Sequence, residues 1–259
     1  MIKSGLVSVS FRKLSPENIV AAAVAAGLDG IEWGGDIHVP HGDLTKAARI
    51  MEMCRNQKIT ISAYGSYYRA GCPAGGDNPE FAKVLDTARV LETSTVRVWA
   101  GTHGSAGLDP IQRRLVVDDL KRICDYAWPR GISVSLEYHS NTLTDTNESA
   151  QKLLQEVNHP GLRFYWQPLL DTTREYRLGG LKQILPRLTN LHIFWWVSDH
   201  SNHNRLPLES GVAFWRDAFM LAKSTGVDHF ASLEFFRGDE LSQFYADAAI
   251  LRSLLKEVN

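Results

Sequence analysis

The chain has 259 residues, with 28 Lys and Arg against 29 Asp and Glu and a formal net charge of −1. That length suits one large domain, and the near-neutral balance excludes a broad positive field for phosphate backbones or anionic lipid. At 44% hydrophobic and 22% charged, with 10 Pro and 20 Gly, the composition is that of a folded globular chain rather than a disordered or fibrous one.

Met1 to Leu6 runs directly into a strand-like stretch, without the apolar run and small-residue cleavage site of a secretory signal. The expected location is therefore the cytoplasm. The longest helix-compatible apolar run, Ile19 to Ala26, is broken by Gly27 and falls short of the roughly 18 residues a membrane span requires. Cys54, Cys72 and Cys124 are scattered and odd in number, which fits neither a disulfide framework nor a CxxC pair, so reduced thiols are expected.

In chain order, short β-branched or aromatic runs predict strands at Leu6–Phe11, Gly30–Trp33, Ile59–Tyr64, Thr95–Ala100, Ser133–Tyr138, Arg163–Gln167, Asn190–Trp195 and His229–Phe235. Longer stretches of helical period separate them. Ser15-Pro16-Glu17 and Asn78-Pro79-Glu80 each place a cap residue before a proline at the first helical position. Gly27, Gly131, Gly161 and Gly226 follow helical stretches, where a left-handed residue ends a helix at little cost. The strands are almost continuously apolar, as in Val96-Arg97-Val98-Trp99, which is how strands covered on both faces read.

Eight strand–helix units in this length predict a single-domain α/β chain, a closed (β/α)8 barrel over 1–259. An open doubly wound sheet is the competing architecture. Against it, Phe11-Arg12-Lys13-Leu14-Ser15 follows the first strand where a Gly-rich phosphate loop would stand, and no G-x-G-x-x-G or GKS/T signature occurs. Polar loops are expected from Gly65 to Pro79, Gly101 to Pro110 and Val197 to Gly211.

Barrel active sites lie at the C-terminal strand ends. Glu137 ends the fifth predicted strand, Gln167 the sixth and Glu234 the eighth, and His192 lies in the seventh. Two carboxylates, an imidazole and an amide oxygen suit one divalent cation taking oxygen and nitrogen ligands: Mn²⁺, Mg²⁺, Co²⁺ or Zn²⁺. Two buried glutamates without a cation would repel each other. Hydrogen-bonded polar groups inside an ordinary barrel are the bland alternative.

The stretches Ile31-Glu32-Trp33-Gly34-Gly35-Asp36-Ile37-His38, Arg97-Val98-Trp99-Ala100-Gly101, Leu136-Glu137-Tyr138-His139, Leu191-His192-Ile193 and Leu233-Glu234-Phe235-Phe236 resemble the xylose isomerase-like TIM-barrel superfamily. It includes sugar isomerases and epimerases, inosose dehydratase and endonuclease IV. The resemblance implies one metal held by Glu137, Gln167, His192 and Glu234. Gln167 stands where the family usually has Asp; its amide oxygen is a weaker ligand and leaves the site one negative charge poorer. Asp171 is a rival ligand if its loop folds back. Nuclease members carry extra histidines where this chain has Tyr64 and Trp99, so no nucleic-acid partner is expected. Family members are often oligomeric, which makes a homo-oligomer the expectation by analogy.

His38, Tyr64, Trp99, His139, Trp166 and Trp195 are candidates to offer ring faces and polar tips to a sugar or polyol. Arg205 is a candidate for a phosphate or carboxylate. His200 and His203 lack a third ligand and read as a solvated loop. The glycines of Ala70 to Asp77 suit a loop that closes over substrate, or a passive one.

The expected activity is metal-dependent sugar isomerisation or epimerisation, with Glu137 removing a proton beside the carbonyl and Glu234 returning it. The alternatives are a dehydratase of the inosose type, which uses the same abstraction and then expels a hydroxyl, and a non-catalytic sugar-binding barrel with a degenerate metal site.

Overall fold

A computed structural model describes residues 1–199 and 202–259. His200, and the side chain of His203, lie outside what it describes.

Eight parallel strands close into a barrel in which Ile2–Val7 lies between Gly30–Gly34 and His229–Leu233, and the remaining strands follow one another in chain order. The eight are β1 (Ile2–Val7), β2 (Gly30–Gly34), β3 (Thr60–Arg69), β4 (Thr95–Trp99), β5 (Ser133–Glu137), β6 (Leu162–Trp166), β7 (Leu188–Ile193) and β10 (His229–Leu233). Helices α1 (Pro16–Ala25), α2 (Leu44–Asn56), α3 (Phe81–Val90), α4 (Pro110–Ala127), α5 (Asn147–Val157), α6 (Arg174–Ile184), α7 (Val212–Lys223) and α8 (Leu241–Val258) form the outer ring. The single-domain α/β barrel expected from the sequence is the fold observed. None of the described helices is long and apolar enough to cross a membrane.

Local chemistry explains most of the boundaries. Ser15 caps α1 by accepting from the Asn18 amide at 3.4 Å, with Pro16 at the first helical position. The same device fails at Asn78: α3 begins at Phe81, and the Asn78 side chain instead bonds the backbones of Arg69 and Cys72. This ties down the Ala70–Asp77 loop at its base. Gly27, Gly131 and Gly226 do end helical stretches at positive φ, whereas α5 is closed by Asn158 at φ 45 rather than by Gly161.

Three strand expectations shift. The first strand starts earlier, at Ile2, because closure pairs Ile2–Leu6 with His229–Leu233; Ser8–Phe11 then forms one 3-10 turn. β3 continues to Arg69 through an irregularity between Gly65 and Tyr68, where Tyr67 takes φ 56. The region expected as a polar loop after β7 is an antiparallel hairpin, β8 (Trp195–Asp199) and β9 (Asn202–Leu206), with Trp196 opposite Arg205.

The three cysteines are free thiols. Burial pushes Cys54 up to about 11 and Cys124 up to about 12, so neither is a nucleophile near neutral pH.

Candidate metal centre and active site

Successive strand residues point to opposite faces, so one interior residue fixes the parity of its strand. Glu137 faces the barrel axis, and His139, two residues on, shares that side. Arg97 and Trp99 do the same on β4, as do His192 and Phe194 along β7. The end of β10 is held against β7 by the Glu234 amide, which donates to the Ile193 carbonyl at 3.0 Å.

His192 is the hub. Its Nε2 lies 3.0 Å from Glu32 Oε2, and its Nδ1 lies 3.3 Å from Glu137 Oε1, 3.4 Å from Glu234 Oε2 and 3.3 Å from Gln167 Oε1. Gln167 is oriented by its own amide, which donates to the Tyr138 carbonyl at 2.7 Å and turns its oxygen toward the cluster. The ligating atoms of Glu137, His192 and Glu234 lie within 4.8 Å of one another. An imidazole whose outer nitrogen meets a carboxylate while its inner nitrogen faces further oxygens is the usual arrangement of a metal-ligating histidine.

Beneath this cluster lies a network that sequence reasoning left without a role. Arg97, 2% exposed, donates through Nε to Glu32 Oε1 at 2.6 Å and through a terminal nitrogen to Glu137 Oε2. Trp99 Nε1 donates to the same Glu137 oxygen at 2.5 Å. Glu137 therefore has one oxygen committed to the protein and the other turned toward His192. The signal was present in the sequence: Glu32 and Arg97 are charged residues inside otherwise apolar strands, and each needs a buried partner.

Charge bookkeeping tests whether a cation fits. Glu32, Glu137 and Glu234 carry three negative charges and Arg97 one positive, which leaves two to neutralise when His192 is uncharged. A divalent ion matches that remainder. The neutral Gln167 thus suits the balance, since a carboxylate there would leave a third buried charge without a partner.

The electrostatics of the cluster agree. Burial pushes Glu32 up, but Arg97 and then His192 outweigh it and hold the carboxyl at about 2. Glu137 is likewise raised by burial and held well below the usual carboxylate range by Arg97. Burial pushes Glu234 up; Glu137 adds to this and His192 partly offsets it. Burial would lower His192, yet Glu234 and Glu32 prevail and raise it to about 10. Without a cation, a proton on His192 does part of the neutralising.

A cavity of about 600 Å³ opens above the cluster, and Trp99, Glu137, His139, Gln167 and Glu234 line it. His192 lies behind that lining, fully buried, with its ring centroid 4.4 Å from that of Tyr165. Asp171 lies on the rim, outside the group of mutually close ligand atoms. Arg12, Tyr67 and Trp196 were not singled out from the sequence but also line the cavity. Tyr67, Asn141, Asp171 and Phe235 all line it at positive φ, so strained backbone concentrates at the mouth.

Five expected substrate residues lie outside the cavity lining. Trp166 sits one position before Gln167 and faces outward, stacked on Phe214 and edge-on to Trp215 of α7. Tyr64 points the same way and donates to the Val39 carbonyl at 2.8 Å. His38 is buried against Ser8 Oγ at 3.0 Å and the edge of Trp33. Trp195 packs on Phe214. Arg205 is engaged by Asp239 at 2.5 Å, with its guanidinium over the Trp196 and Phe235 rings.

A closed parallel barrel with a buried carboxylate–imidazole cluster under a polar mouth defines the (β/α)8 barrel class, with Glu137, His192 and Glu234 grouped so that they could hold one metal ion. The chain belongs to the xylose isomerase-like TIM barrel family, whose model matches residues 20–254. It is 26% identical to a 3-dehydroshikimate dehydratase of Bacillus anthracis, across 99% of each chain. Its fold matches the crystal structure of a probable 3-DHS dehydratase from Bacillus anthracis with a TM-score of 0.82 and 24% identity, covering 96% of this chain and 98% of that one. It also matches a xylose isomerase-like barrel from Mycobacterium smegmatis in complex with magnesium, with a TM-score of 0.76 and 18% identity over 100% and 97% of the two chains.

Proposed function

We propose that this chain is a metal-dependent dehydratase of the 3-dehydroshikimate type, removing water from a polyhydroxylated ring ketone. The observation that carries this reading is the likeness to the Bacillus anthracis dehydratase, which runs the length of both chains. Glu137, His192 and Glu234, with Gln167 as a fourth donor, would hold the cation. Once bound, it supplies a Lewis acid that draws electron density from the substrate carbonyl.

The chain's own residues divide the rest of the work. His139 lines the cavity and lies against Trp99, with ring centroids 4.9 Å apart. Its Nδ1 is 2.7 Å from the Ser140 carbonyl, an acceptor only, so Nδ1 carries the proton and Nε2 keeps a lone pair. His139 is thus suited to take the hydrogen from the carbon between the ketone and the leaving hydroxyl. The electron pair left on the ring expels that hydroxyl, which departs as water with the proton His139 returns, and the imidazole ends as it began. Glu137, with one oxygen bound by Arg97 and Trp99, is a holder rather than a base in this scheme.

Metal-loaded protein given 3-dehydroshikimate should produce a rising ultraviolet absorbance from the aromatic product, abolished by a chelator. His139→Gln should lower kcat about 10²–10⁴-fold while metal content stays unchanged. No product from the metal-loaded wild type overturns the assignment.

Sugar epimerisation is the second reading, favoured by the presence of two glutamates, Glu137 and Glu234, at 3.3 and 3.4 Å from His192 Nδ1. It would exchange substrate hydrogen for solvent deuterium without producing a chromophore.

A further inference from the structure

Three carboxylates lie under the mouth, so an anionic substrate entering it needs positive charge beyond the cation. Arg97 offers none, since Glu32 and Glu137 take up its guanidinium. Arg205 is held by Asp239 and does not line the cavity. Arg12 does line it, at the end of the turn that follows β1. That turn is fixed to the metal-side strand end by the Phe235 amide, which donates to Ser10 Oγ at 2.9 Å.

Arg12 uses one terminal nitrogen for both of its partners, Asp36 Oδ2 and, at 3.5 Å, the Tyr67 hydroxyl. Among the described residues its Nε and other terminal nitrogen have no partner, and its side chain is 47% exposed. The Tyr67 hydroxyl accepts from Arg12, so its own proton remains free to donate. Burial pushes Tyr67 up to about 12, with Arg97 only partly offsetting this, and the proton is kept across neutral pH. Tyr67 reaches this place because the β3 irregularity turns it into the mouth at φ 56, edge-on to Trp99 at 5.3 Å. A planar guanidinium with an open donor edge beside a phenolic O–H matches the two oxygens of a carboxylate.

We propose that Arg12, held in place by Asp36 and assisted by the Tyr67 hydroxyl, recognises a substrate carboxylate, so that this site selects an acidic polyhydroxylated ring over a neutral one. The identity of the acid rests on the dehydratase reading; the preference for an acid rests on Arg12.

The test is calorimetric titration of two matched pairs, shikimate with its methyl ester and glucuronate with glucose, into metal-loaded wild type, Arg12→Gln and Arg12→Lys. In wild type at least one acid should bind about 10–100-fold more tightly than its neutral partner. Arg12→Gln should erase that difference with metal content and Tm unchanged, and Arg12→Lys should restore only part of it. Wild type with no preference for either acid, or a preference that survives in Arg12→Gln, overturns the proposal. An Arg12-dependent acid preference without turnover of 3-dehydroshikimate upholds the carboxylate site and removes the dehydratase reading instead.

Discussion

Glu32 Oε2 stands 3.0 Å from His192 Nε2 across the barrel axis, and this contact turns the other ring nitrogen toward Glu137, Glu234 and Gln167. Glu32 touches no substrate-accessible surface, yet it sets both the tautomer and the direction of the imidazole. Glu32→Gln should weaken metal binding by about 10–100-fold, as loss of such a partner typically does. It also removes one half of a buried ion pair with Arg97, which costs up to about 3–5 kcal/mol. Metal titration and chemical denaturation of the same variant measure the two effects separately.

The apparent metal affinity should rise with pH. His192 is lifted from an ordinary value of 6.5 to about 10 in the metal-free protein, so below that value a cation must displace its proton. Affinity should therefore increase roughly tenfold per pH unit across neutral pH, with about one proton released per ion. Calorimetry in buffers of different ionisation enthalpy counts the proton; a flat profile with no release contradicts the assignment.

The metal-free protein should lose stability on both sides of a window near pH 5 to 6. Glu32 has its folded value depressed from 4.5 to about 2, so its contribution is complete above 4.5 and disappears as pH falls toward 2. His192 has its folded value raised, so its contribution is complete below about 6.5 and is lost as pH climbs through 10. Bound metal should flatten the alkaline limb of Tm against pH, because the ion replaces the proton.

Gly65→Ala should disturb the charge network without touching a ligand. A Cβ there would come within 2.7 Å of both Glu32 Oε1 and Arg97 Nη2, the groups that make the buried pair. Overpacking of this kind costs about 1–3 kcal/mol, and metal affinity should fall with it. An unchanged Tm in Gly65→Ala would show that the pair can shift freely.

Arg205→Ala should cost less than about 1 kcal/mol, since Arg205 and Asp239 form a partly exposed pair. It should leave the discrimination between shikimate and its methyl ester intact, in contrast with Arg12→Gln. Loss of that discrimination would return Arg205 to the substrate site that its residue type suggested.

The sequence by itself determined the barrel and the order of its strands, though not where the first and third of them end. Eight alternating units leave little topological freedom, and Glu137, His192 and Glu234 are conspicuous as polar groups closing apolar runs. Tertiary structure decided the rest. Because both faces of each strand are covered, inward and outward residues are equally apolar and hydrophobic period cannot separate them. Trp166 and Trp99 therefore read alike, although one packs on α7 and the other binds Glu137. Parity counted from Gln167 places Trp166 outside, but the β3 irregularity that brings Tyr67 into the mouth breaks such counting. The pairing of Glu32 with Arg97 and His192 spans 65 and 160 residues of chain, and closing the barrel is what brings those charges together.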